Sequence, residues 1–263
     1  MKLNKHLSAN KISLVLVLCT IGLISTGCVN QQQQERDAEN VKARARAHTD
    51  LGAVYFQQKK LEIALEEFTL AAKIDPNFSS AYNGLGLVNA QLGRYDLADA
   101  DFKKAIQLDS ENSEVRNNYG SFLCSRNRID ESIVEFMAAV KNPLYATPAM
   151  AYTNAAICSM RGNKMANAET YLQQALQIEP LSQGAAYQLA SIQLKRNDAV
   201  AAKKTLQNVM LSRPSPEVLW LAIQIERAVG ARDAEASYAL ELRRQYPDSE
   251  QARLLQSETN NDR

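Results

Sequence analysis

The sequence predicts an all-α chain, a solenoid of about six stacked helix pairs, and three observations carry that prediction. A pattern of small and bulky residues returns about every 34 residues from residue 45 onward, the mark of a repeat whose units cannot bury their apolar faces alone. Prolines stand at the ends of those units, as in Asp75-Pro76, Glu179-Pro180 and Arg213-Pro214, where a residue without an N–H stops a helix. The composition, 46% hydrophobic but only 6% aromatic, with 10 Gly and 7 Pro in 263 residues, fits many helices joined by short turns. Lys+Arg number 30 against 29 Asp+Glu, so no positive field exists to hold nucleic acid by counterion release, and nucleic acid is not expected as a partner.

Residues 1–27 form a separate element. Lys2, Lys5 and Lys11 precede an apolar run from Ile12 to Ile24 and then small residues up to Gly27-Cys28, the layout of a cleaved export signal. The run spans about thirteen residues, roughly 20 Å as a helix, too short for a hydrocarbon core of about 30 Å. Ser25-Thr26-Gly27-Cys28 resembles a bacterial lipobox. That resemblance implies cleavage before Cys28 and lipid attachment to it, with more than one acyl chain making a stable anchor. Val29 after the cysteine, in place of Asp, implies sorting to the outer membrane. Residues 28–44, with Gln31 to Gln34 and alternating charges, read as a lipidated cysteine and a flexible tether.

The repeat domain is expected over 45–256. Leu51-Gly52-x-x-Tyr55, Ala64-x-x-x-Phe68-x-x-Ala71 and Pro76 match the tetratricopeptide pattern. That resemblance implies antiparallel helix pairs wound into a right-handed superhelix, the first helix of each pair lining a concave groove. Repeats beginning near 45, 79, 113, 149, 183 and 217 keep the pattern. Position 8 is then Gly52, Gly86, Gly120, Ala156 and Ala190, position 20 is Ala or Ser, and position 24 is Phe68, Phe102, Phe136, Leu172, Leu206 and Leu240. Small residues allow two helices to approach, and bulky ones fill between them. The longer step to repeat four marks a loop over 141–148, with Pro143 and Pro148 and an exposed aromatic, Tyr145. Repeat six, with Gln224 at position 8 in this frame, reads as a degenerate cap. A short helix is expected from 249 to about 257 and a disordered tail over 257–263.

Chemistry is sparse. His48 is the one histidine beyond the signal and stands at a packing position, so neither a zinc site nor a His-dependent nucleophile can be assembled. No enzyme activity, metal or cofactor is expected. Asp96 and Asp130 stand just before second helices and are read as helix caps. Of the cysteines left after export, Cys28 is lipid-bound, and only Cys124 and Cys158 are free to pair. They fall on neighbouring first helices but on different faces, so the sequence leaves the pairing open.

Positions 2, 5, 9 and 12 of each first helix share one face. The candidate partner-binding groove comprises Phe56; Asn83 and Leu87; Asn117 and Ser121; Ile157 and Met160; Tyr187 and Leu194 on that face, with Asn118 and Asn154 beside it. Asn offers a donor and an acceptor to an extended peptide backbone, and Met and aliphatic side chains give adaptable pockets. The same amides also suit hydrogen bonds between adjacent helices. As a ladder, they point to a peptide ligand, and few Lys or Arg join them, which favours an internal segment over a chain terminus.

Asn117-Asn118-Tyr119-Gly120-Ser121-Phe122-Leu123-Cys124 goes beyond the generic repeat and resembles the N-N-Y-G-x-F-L-C stretch of the PilF/PilW family of type IV pilus biogenesis proteins. The likeness extends to the lipobox, the tether, the loop after repeat three and the Leu242-to-Ser249 ending. Membership implies a pilotin: an outer-membrane lipoprotein facing the periplasm, monomeric apart from its partner, that binds secretin subunits and promotes their localisation and multimerisation. The alternative is a repeat lipoprotein that serves as an adaptor for peptidoglycan synthases or envelope proteases.

Overall fold

The computed structural model describes residues 33–261. The export signal, Cys28 and the first residues of the tether lie outside them. Thirteen α-helices and no strand occur among the described residues. They form two compact units, the first ending at Asp109 and the second beginning at Ser110.

In the first unit α1 runs over 33–57 and is followed by α2 (Leu61–Ile74), α3 (Ser79–Gln91) and α4 (Tyr95–Leu108). The flexible tether expected over 28–44 is therefore helical from residue 33. The reason is local: Gln33 donates to Asp37 at 3.0 Å across one turn, Arg46 and Asp50 are spaced alike, and polar helix formers extend a helix already nucleated by the buried Ala45. A solvated helix and a solvated coil share one composition, so low hydropathy alone did not separate them.

The second unit holds α5 (Ser113–Ser125), α6 (Ile129–Ala139), α7 (Pro148–Arg161), α8 (Met165–Ile178), α9 (Gln183–Lys195) and α10 (Ala199–Leu206). A 3-10 turn at Val209–Leu211 leads to α11 (Pro216–Val229), α12 (Arg232–Gln245) and α13 (Glu250–Asn261). The tail expected to be disordered from 257 continues as helix to Asn261. Pro148 and Pro216 open their helices, where a missing N–H costs nothing. In the loop before Pro148 it is Leu144, 89% exposed, that faces water. Tyr145, expected to be exposed, is half-buried, and burial raises the pKa of its phenol.

Every pair turns its corner in the same way. Lys59, Gly93, Asn127, Asn163, Asn197 and Gly230 all have φ between 57° and 82°. At each corner the left-handed residue donates its N–H to the carbonyl three residues back, and the next residue donates to the carbonyl five back, as in Asn163 to Met160 and Lys164 to Ser159. Two carbonyls orphaned at each helix end are satisfied this way. Glycine at 93 and 230 adopts that conformation without penalty, and asparagine tolerates it.

The corner also corrects the frame of repeat six. The left-handed residue is position 15 of repeats one to five, so Gly230 sets the start of repeat six at 216 rather than 217. Position 8 is then Ile223, fully buried, and position 24 is Ala239. Gln224 and the 66%-exposed Leu240 lie off the contact; the repeat keeps its corner but departs from the pattern of the other five, with Ile223 at position 8, Glu235 at position 20 and Ala239 at position 24.

Within each pair the contact between positions 8 and 24 holds the helices together. A Cβ added to Gly52, Gly86 or Gly120 would lie 2.8–2.9 Å from the ring of Phe68, Phe102 or Phe136, too close for carbon atoms. Ala156 shares a buried cluster with Leu172, Ala190 with Leu206, and Ile223 with Ala239. Small residues at position 8 thus meet bulky position 24 in five repeats, and repeat six exchanges the sizes. At position 20 of repeat three the buried Ser132 hydroxyl donates to the Gly120 carbonyl at 2.8 Å.

Asp96 and Asp130 are not caps. They stand in the first turns of α4 and α6, whose N-cap residues are Arg94 and Arg128, and there a carboxylate complements the helix dipole. Asp130 also pairs with Lys164. The side chains that cap include Asn112, Asp198, Ser215 and Ser249, each accepting from a backbone N–H three residues on.

Candidate functional site

The candidate face is built differently in the two units. In the first, Asn83 is buried, Leu87 is half-buried, and Phe56 packs half-buried against the cluster of Phe68 and Val88. His48 meets Glu67 with Nδ1 2.7 Å from Oε2, so it joins the two helices of repeat one.

In the second unit the amides come together. Asn154 on α7 donates from Nδ2 to Asn117 Oδ1 on α5 at 3.1 Å. Asn117 is 4% exposed, which makes this a bond between neighbouring first helices, the structural role weighed against ligand binding for these residues. A buried carbonyl oxygen left without that donor would cost about 1–3 kcal/mol. Asn118, half-buried, is also engaged. Ser121, exposed, turns its hydroxyl back to the Asn117 carbonyl at 3.0 Å.

The apolar members divide in two. Met160 packs on the Ala156–Leu172 cluster, and Tyr187 and Leu194 pack on the Ala190–Leu206 cluster, so these three help join repeats. Ile157 is 38% exposed, and Met150, at position 2 of the same repeat on α7 and so on the same face, is 49% exposed. What the second unit presents outward is therefore a small mixed patch: Ser121 on α5, and Met150 and Ile157 on α7, beside the half-buried Asn118 and Asn154. Such a patch suits an extended backbone with one or two apolar side chains.

A disulfide between Cys124 and Cys158, with Cα atoms 5.7 Å apart, clamps the two helices that carry this patch. The sequence leaves this pairing open because the two cysteines differ in repeat position, yet they meet in one buried cluster. A difference of two repeat positions is about 200° of helical rotation, which puts the residues on opposite flanks of equivalent helices. Stacked helices meet flank to opposite flank, so that offset brings the thiols together. Closing a 34-residue separation stabilises by about 3–4 kcal/mol on the chain-entropy account.

No group of three or more His, Cys, Asp or Glu able to hold a metal occurs among the described residues. One charged residue was passed over in the sequence: Glu226 on α11, 3% exposed, with its Oε2 2.7 Å from the Lys203 Nζ on α10. It occupies position 11 once repeat six starts at 216, and a carboxylate on that inward face was the available signal.

Models of the tetratricopeptide repeat match residues 52–93, 79–112 and 160–223. The type IV pilus assembly protein PilF of Pseudomonas aeruginosa is 29% identical over 248 residues, covering 93% of this chain and 97% of the relative. The solved structure of Pseudomonas aeruginosa PilF matches with a TM-score of 0.69 and 28% identity, over 83% of this chain and 99% of that one. The structure of PilW, described as a widely conserved type IV pilus biogenesis factor, matches with a TM-score of 0.66 and 28% identity, over 81% of this chain and 97% of the other.

Proposed function

Proceeding from a tetratricopeptide-repeat chain homologous to PilF, we propose that the protein is a non-enzymatic pilotin of the type IV pilus. In this reading it is an outer-membrane lipoprotein, anchored through Cys28 and facing the periplasm, that binds secretin subunits and promotes their localisation and multimerisation. The observation that carries the reading is the near end-to-end likeness to a pilus assembly protein. One feature of the chain supports it, and the proposed anchor is consistent with it. A helical-repeat scaffold presents side chains for binding another polypeptide. A lipid anchor would hold that captured polypeptide at the membrane at raised effective concentration.

Comparing secretin multimers on a denaturing gel, in cells with and without the chain, tests the proposal. Loss of multimers and of pili is expected on deletion, and Cys28→Ser is expected to mislocalise the protein and reduce both. Normal multimers and normal piliation on deletion would overturn it, and recovery of cell-wall enzymes without secretin in a pull-down would favour an adaptor instead. Ile157→Glu, at an exposed position, is expected to weaken secretin capture by about tenfold while leaving the melting temperature unchanged.

A further inference from the structure

A cavity of about 530 Å³ lies between the second helices of repeats five and six, over α11. Its origin is the short α10, which has 8 residues where α2, α4, α8 and α12 have 14. After Leu206 the chain leaves the helix and passes through the 3-10 turn at Val209–Leu211. The floor is apolar: Leu206, Ala222 and Ile225 are each no more than 4% exposed. Two aliphatic side chains on the rim, Val200 and Leu211, are 73% and 84% exposed, so the apolar surface continues beyond the cavity.

The charges are arranged with a sign. Glu226 lines the cavity but is neutralised by Lys203, as a buried carboxylate must be. Lys204, also lining it and exposed, makes no ion pair among the described residues. The rim therefore carries one uncompensated positive charge beside exposed Val200.

We propose that this cleft is a second docking site, which takes a protein segment bearing large apolar side chains next to acidic ones. The apolar groups would enter the cavity, and a carboxylate would meet Lys204. A segment several residues long fits better than a lipid chain, because it covers Val200 and Leu211 as well as filling the hole. The proposal is independent of the pilotin reading and stands or falls by binding alone.

The test uses the full mature chain in detergent. The probes are a fluorescein-labelled peptide with a central Leu-Phe pair flanked by glutamates, its lysine-flanked counterpart, and oleate as competitor. The acidic probe is expected to bind about tenfold tighter than the basic one. Val200→Glu and Leu211→Glu, both at exposed positions whose change leaves helicity intact, are each expected to lower its affinity about tenfold, and Lys204→Glu to reverse the preference between probes. Equal affinity for the two peptides would overturn the proposal, as would binding unmoved by the Val200 and Leu211 substitutions. Saturable oleate binding at the site without peptide binding would make it a lipid site and overturn it equally.

Discussion

In repeat three the first helix contributes Gly120 and the second Phe136 to their shared contact, whereas in repeat six the first helix contributes Ile223 and the second Ala239. Repeats four and five lie between, with Ala156 against Leu172 and Ala190 against Leu206. The side-chain volume at the contact is shared out differently while the helix pairing persists. The conserved quantity is the volume of the pair, because close packing punishes both a gap and an overlap. A single position read alone, such as a glycine at position 8, is only half of that statement.

Four substitutions, in three experiments, break or sharpen the comparison. The largest effect is expected from Ile223→Ala, which leaves two alanines facing each other in repeat six; it should destabilise by about 2–5 kcal/mol in denaturant unfolding. A loss below about 1 kcal/mol would mean that α12 is held elsewhere. Next, Gly120→Ala should cost about 1–3 kcal/mol by pressing a methyl into Phe136. Adding Phe136→Leu converts the contact to the form found in repeat four and should recover most of that loss. Strict additivity of the two changes in a double-mutant cycle would refute the shared-volume account. The smallest effect concerns the corners: Lys59→Gly, at the position that is glycine or asparagine in the other five, should raise stability by up to about 1 kcal/mol. A lowered melting temperature would show that the Lys59 side chain contributes something the corner geometry does not.

The repeat spacing, the small-to-bulky contact and the proline stops were legible because each depends on residue size at fixed intervals. The sixth frame was misread by one residue. Repeat five ends in a short helix and a 3-10 turn, and counting from a fixed period passes over such a break, whereas Gly230 as a helix-ending glycine would have caught it. The helical stretch before Ala45 was missed because composition reports affinity for water and not backbone shape. The candidate face was only partly readable. Helical periodicity found the outward Ile157, but it could not tell that Asn154 faces Asn117 rather than a ligand. That depends on how neighbouring helices are offset, and no single helix encodes it.

The six identical corners have a consequence for the length of the molecule. Asn163 and Asn197 share the same backbone conformation and the same pattern of hydrogen-bond partners at fixed offsets. A chain spliced from one to the other would lose a whole unit and leave no dangling donor at the joint. The stack is thus a chain of interchangeable joints, and gain or loss of a link by gene duplication or deletion would leave the bends themselves intact. What resists such editing in this protein is the sulfur bridge between repeats three and four, which ties one particular link to its neighbour.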